Sequence, residues 1–191
     1  MPGVLQSEPM SLVATHAIWT TYLTWPPGDH RGHWSPLFDF YGHLIAQGHQ
    51  LNLPDAATLR YATSSAKEPE RVLAPQDQQV VAETIGDVLS DDLQGRIAVY
   101  AGAIEKTHVH LLFGEMAEDI DKLVGRIKSR TSSAVIKHGT ESWRTRTWTS
   151  GYWKVFLFDV TIIPNVQRYI ERHNERRGLK PAPYSWISPF I

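Results

Sequence analysis

The first readable stretch of hydrophobic patterning is residues 13–25, Val-Ala-Thr-His-Ala-Ile-Trp-Thr-Thr-Tyr-Leu-Thr-Trp. Its β-branched and aromatic residues predict a strand that stops at Pro26-Pro27-Gly28. Scattered Pro, Gly, His and Ser over 26–75 predict a loop-rich insertion with a short helix near Ala56–Tyr61, and residues 1–12 are expected to be flexible. Beyond Pro75 the pattern changes period. Val80, Val81, Ile85, Val88 and Leu89 recur at helical spacing, so Gln76–Asp92 reads as an amphipathic helix. Arg96–Glu105 and Thr107–Phe113 then alternate like two strands about a reversal at Glu105-Lys106, which predicts an antiparallel hairpin. From Asp119 to about His138 a second long helix is expected. Ile120, Leu123, Val124, Ile127 and Val135 form its core face, and its acidic first turn and basic later turns suit the helix dipole. Trp153–Thr161 reads as a fourth strand. Pro164 opens a final helix through about Arg177, closed by Gly178, with Val166, Tyr169 and Ile170 as its stripe.

Strand, helix, strand, strand, helix, strand is the order of an α+β, ferredoxin-like (RRM-like) fold. It is an antiparallel sheet with helices on one face, and here the other face is left for a C-terminal helix carrying Tyr169. A chain of 191 residues with 42% apolar content is expected to form one such domain over 1–191.

Composition narrows the chemistry. With no cysteine, a disulfide scaffold, a thiolate metal site and a cysteine nucleophile are all excluded, and nine histidines remain as the source of metal or acid–base chemistry. No apolar run is long enough for a membrane span, and Met1–Met10 lacks the basic start and apolar stretch of an export signal. The expectation is a cytoplasmic protein with no membrane partner.

The formal net charge of −1 hides two unlike halves. Six basic and sixteen acidic residues up to Asp121 give −10, whereas thirteen basic and four acidic residues over 122–180 give +9. A positive excess of that kind is the footprint of a phosphate-binding surface, with a solvated helix face answering acidic residues elsewhere as the competing explanation.

In Thr107-His108-Val109-His110-Leu111-Leu112-Phe113 the strand period sends Val109, Leu111 and Phe113 to one face and both histidines to the other. Imidazoles at i and i+2 on a strand stand about 7 Å apart at the backbone and can converge on one divalent ion. On the final helix Tyr169 and His173 are spaced i, i+4, one turn apart on one face. A third imidazole and a phenol could therefore meet the strand pair. Three nitrogen ligands would leave room on the ion for a phosphate oxygen, and the phenol would be the nucleophile of a covalent phosphotyrosine step. Each residue alone has a plainer reading, solvated or core-satisfied histidines and a tyrosine packed in the core; it is their coincidence that favours chemistry. His16 could point to the same open face but is read as a hydrogen-bonded structural residue. His30, His33, His43, His49 and His138 sit in loops or near helix ends and receive no role.

Taken in order, His108-Val109-His110, the basic helix Gly125-Arg126-Ile127-Lys128-Ser129-Arg130-Thr131-Ser132, Trp148-x-x-Gly151-Tyr152-Trp153 and Tyr169-Ile170-Glu171-Arg172-His173-Asn174 resemble the single-tyrosine HUH transposases. The likeness is in particular to REP-associated tyrosine transposases and related insertion-sequence transposases. Thr24–Gly32 is similar to a segment of the same group. The resemblance implies a ferredoxin-like fold, a Mg²⁺ or Mn²⁺ ion, and single-stranded DNA with hairpin structure as the partner. It implies His108 and His110 as metal ligands and Tyr169 as the nucleophile that leaves a 5′-phosphotyrosine and a free 3′-OH. His173 falls where relatives commonly carry Gln or Asn as a further ligand. Lys128 and Arg130, then Arg126 and Arg172, are the expected nucleic-acid contacts. Such relatives occur both as homodimers with exchanged helices and as monomers, and the sequence does not choose between them. Tyr152 and Trp153 read as strand or core aromatics or as base-stacking surfaces.

Two other phosphoryl-transfer patterns are disfavoured. A histidine triad needs His where Leu112 stands, and a second His-x-Thr or His-x-Ser motif is missing. A non-catalytic, domesticated binder of single-stranded or structured nucleic acid is the alternative reading.

Overall fold

A computed structural model describes residues 11–30, 54–93, 97–141 and 143–191. Its elements are β1 (Ala14–Thr20), α1 (Ala56–Ser64), α2 (Pro75–Leu93), β2 (Val99–Ile104), β3 (His108–Gly114), α3 (Ile120–His138), β4 (Trp153–Leu157), a 3₁₀ turn (Val160–Ile162) and α4 (Ile163–Arg176). All strand pairs are antiparallel and the sheet order is β2-β3-β1-β4, the ferredoxin-like arrangement. Of the expected loop-rich stretch 26–75, residues 31–53 lie outside the described residues, with His33, His43 and His49. Residues 1–10 of the expected flexible start lie outside them as well.

Local chemistry sets the element ends. The first strand is shorter than expected because Thr21 and Thr24 close a turn, Thr24 N–H and Oγ1–H both donating to the Thr21 carbonyl, and Leu23 takes a positive φ of 60°. The fourth strand also ends early, at Leu157 rather than Thr161. There the Asp159 side chain accepts from Thr161 N–H and caps the 3₁₀ turn that leads into α4. The expected arms Arg96–Glu105 and Thr107–Phe113 become Val99–Ile104 and His108–Gly114 about the predicted reversal, held by Glu105 N–H to the His108 carbonyl at 2.8 Å. Asp119 caps α3 through Asp121 N–H, and Gly178, at φ +74°, closes α4 in the conformation that glycine tolerates.

Alternation along the strands separates two apolar layers. On one side Ala17, Trp19, Val109, Leu111 and Phe113 pack against Val81, Ile85 and Val88 of α2 and Leu123, Val124 and Ile127 of α3. On the other, Ala14, Ala101, Ala103, Leu112, Val155 and Leu157 pack against Ile163, Val166 and Ile170 of α4. The C-terminal helix thus covers the face that α2 and α3 leave open.

The segment after α4 ties that helix down. Asn174 Nδ2 donates to the carbonyls of Gly102 (2.9 Å) and Pro181 (2.8 Å), Arg177 to the Ile104 carbonyl and Gln78, and Ser188 N–H to the Val99 carbonyl at 2.9 Å. Trp186 lies so close over β2 that a Cβ at Gly102 would come within 2.6 Å of its ring. Among the described residues, no helix is long and apolar enough to cross a membrane.

Candidate active site

The strand alternation that buries Val109 and Leu111 under α2 and α3 puts His108 and His110 under α4. Position i+4 from Tyr169 then brings His173 to the same place. Ring centroids lie 4.9 Å apart for His108–His110, 4.6 Å for His110–His173 and 5.5 Å for His108–His173. One ligand atom from each of these three residues lies within 4.8 Å of the others, a spacing that one cation can bridge. The Tyr169 ring stands 5.1 Å from His173 and 5.8 Å from His110, on the α4 of the same chain.

Each imidazole has its Nδ1 engaged. Thr107 Oγ1 lies 3.0 Å from His108 Nδ1, His16 Nε2 3.1 Å from His110 Nδ1, and Glu105 Oε1 3.2 Å from His173 Nδ1. His173 Nε2 is buried with no hydrogen-bond partner among the described residues, an arrangement that costs free energy unless something is bound there. Engaged Nδ1 atoms, a partnerless buried Nε2 and a cation-sized gap fit a divalent metal ion.

Electrostatics favour the ligating state of His108 and His110. Burial, followed by the neighbouring His173, pulls His108 down to about 4. His110 is held well below its ordinary value, first by burial and then by His108, His16 and His173. These two rings are therefore neutral at physiological pH, as metal ligation requires. Burial alone would raise the Glu105 carboxyl, but its hydrogen bond to His173 and the nearby His108 and Arg177 bring it below the usual value. Tyr169 is raised by burial, with Arg176 opposing, so its phenol carries its proton at rest.

The expected nucleic-acid contacts divide. Arg172 is exposed on α4, next to His173. Arg126, Lys128 and Arg130 lie on α3, across the sheet from the histidines. Arg126 makes a two-pronged pair with Glu118 at 2.6 and 3.0 Å, and Arg130 pairs with Asp91 at 3.2 Å. Lys128 donates to the carbonyls of Thr149 (2.8 Å) and Gly151, and burial lowers it to about 8. The Trp148–Trp153 motif is drawn to the same helix, with Trp148 Nε1 donating to Thr131 at 3.0 Å and Tyr152 OH to Asp121. The aromatics at Tyr152 and Trp153 are part-buried, and Tyr184 stacks on Trp186 at 4.9 Å.

Sequence reasoning missed Glu105, placed only at a reversal, and the partner of His16. The remaining described histidines, His30 and His138, are exposed and outside the cluster.

Fold and cluster together define an α+β protein that gathers metal-spaced imidazoles and a tyrosine between its sheet and its C-terminal helix. The family model for IS200-like transposases matches residues 63–173, more than half of the chain, and the chain belongs to that family of DNA-cleaving enzymes. A solved structure of a transposase candidate from Deinococcus radiodurans R1 aligns with 91% of this chain and 98% of its own, at 16% identity and a TM-score of 0.40. A REP-associated tyrosine transposase bound to a REP hairpin aligns with 93% of this chain and 75% of its own, at 11% identity and a TM-score of 0.48. No curated protein matches the chain.

Proposed function

We propose that this transposase is a metal-dependent single-stranded DNA endonuclease and strand transferase that acts on hairpin-bearing DNA through Tyr169. The observation that carries the reading is the grouping of Tyr169 with His108, His110 and His173, three histidines whose ligand atoms lie within 4.8 Å of one another. Membership in the IS200-like transposases supports DNA as the substrate. A Mg²⁺ or Mn²⁺ ion held by the three imidazoles would polarise the scissile phosphate and offset charge on the leaving oxygen.

The chain's own groups do the rest. Tyr169 Oη forms a bond to the scissile phosphorus as the bond from phosphorus to the 3′ oxygen breaks. The phenol sheds its proton, the 3′ oxygen acquires one, and the products are a 5′-phosphotyrosine and a free 3′-OH. Because the phosphotyrosine keeps the energy of the phosphodiester, a 3′-OH can later reverse the step and rejoin strands. Holding α4 against β2 through Asn174 and Arg177 keeps the phenol beside the histidines. Arg172, exposed on the same helix, is suited to a phosphate of the bound strand.

The test is a covalent-adduct assay with labelled single-stranded hairpin DNA and Mn²⁺. The wild-type protein should form a denaturation-resistant adduct and Tyr169→Phe none, while His108→Ala should lose cleavage and keep most DNA binding. No adduct from the wild type, or an adduct that survives Tyr169→Phe, rejects the assignment and favours a non-catalytic nucleic-acid binder.

A further inference from the structure

The three clustered imidazoles share one arrangement, in which a group outside the cluster occupies Nδ1. For His108 and His173 that group comes from the β2–β3 turn, Thr107 and Glu105. For His110 it comes from another strand. His16, on β1, is buried, its ring lies 5.2 Å from the His110 ring, and its Nε2 is 3.1 Å from His110 Nδ1. Strand β1 is hydrogen-bonded to β3 on one side and β4 on the other, so His16 rests on a fully paired part of the sheet.

A proton shared between two neutral imidazoles can sit on either ring, and the choice decides what His110 can do. If His16 Nε2 carries it, His110 accepts at Nδ1 and holds its own proton on Nε2, where it blocks ligation. If His110 Nδ1 carries it, His16 Nε2 accepts and His110 Nε2 has a free lone pair. Outer partners that accept from a ligating histidine fix its tautomer and ring orientation in just this way.

We propose that His16 is the positioning residue for His110, accepting its Nδ1 proton and so committing His110 Nε2 to the metal. The inference rests on the metal-site reading above. His16 lies outside the metal-spaced trio and acts through His110.

The test measures Mn²⁺ affinity of the DNA-free protein by electron paramagnetic resonance, with no cleavage step involved. His16→Phe keeps a buried ring without an acceptor and should weaken Mn²⁺ binding about 10- to 100-fold. His16→Gln, which restores a side-chain acceptor, should recover most of that loss. Wild-type affinity in His16→Phe, or equal weakening in both variants, overturns the proposal and leaves the metal cluster standing. Wild-type protein that binds no Mn²⁺ overturns the cluster itself and this inference with it. A second measurement needs no variant: long-range ¹⁵N–¹H correlation spectra of the wild-type imidazoles should show His110 protonated at Nδ1. An Nε2–H tautomer rejects the proposal even if His16→Phe does not fold.

Discussion

The two faces of the sheet use the same four strands for different purposes. Against α2 and α3 the strands present a mainly apolar layer, with Ala17, Trp19, Val109, Leu111 and Phe113 all at or near zero exposure and Thr15 and Lys154 as its polar members. Against α4 the apolar positions Ala14, Leu112 and Val155 give way to His16, His108 and His110, and the helix answers with Tyr169 and His173. On β3 neighbouring residues alternate between the two duties. Packing on the first face can hold the strand while the second carries groups whose burial works against stability.

That division is broken most severely by Phe113→Ala. Phe113 is fully buried on the α2/α3 side, and its truncation should lower unfolding free energy by about 3–5 kcal/mol in urea titrations. His108→Ala, on the same strand but the other face, should lose Mn²⁺ binding while keeping most of the wild-type stability. Similar destabilisation by both would show that the two faces are not separable.

Acid should weaken the histidine face before the apolar one. Burial, with His173 adding, takes His16 to about 3 and His108 to about 4 in the folded chain, from an ordinary value of 6.5. Below pH 6.5 the unfolded chain therefore binds protons that the folded chain does not, so stability falls as pH drops and levels off only near the folded values. For the metal-free protein the two together should cost about 2 kcal/mol by pH 5.5, read as a falling melting temperature. Saturating Mn²⁺ should oppose the fall, because it binds the neutral rings. A melting temperature flat from pH 7 to 5 would contradict the buried, neutral cluster.

What the sequence revealed follows from the range of each interaction. Strand alternation placed His108 and His110 on one face, and helical spacing aligned Tyr169 with His173, because both signals are local. The β2–β3 reversal is also legible, but nothing local marks Glu105 within it, since its partner His173 lies 68 positions away. His16 is hydrogen-bonded, as its strand position suggests, but it stands on the α4 face beside His110; that partner depends on the β1–β3 register, in which Ile18 stands opposite His110, and no local pattern encodes it. The pairing within the basic half is hidden for the same reason. Arg130 pairs with Asp91, 39 positions earlier, and Lys154 with Asp121, 33 positions earlier. A charge count along the chain cannot see such neutralisation.

The smallest expected effect asks which face meets DNA. Arg130 and Asp91 are 58% and 62% exposed, so their ion pair is worth well under about 1 kcal/mol, and Arg130→Ala should leave stability within about 0.5 kcal/mol of wild type. Arg172→Ala should be equally mild for folding. The two should separate in DNA binding measured across a salt series. Each phosphate contact contributes about one unit to the slope of log affinity against log salt. Arg172, on the helix that carries Tyr169 and His173, should lower that slope by about one when removed. Arg130, across the sheet and already paired with Asp91, should leave it near the wild-type value. If Arg130→Ala lowers the slope and Arg172→Ala does not, the strand runs along α3, and the division between a packing face and a working face has to be redrawn with DNA on both.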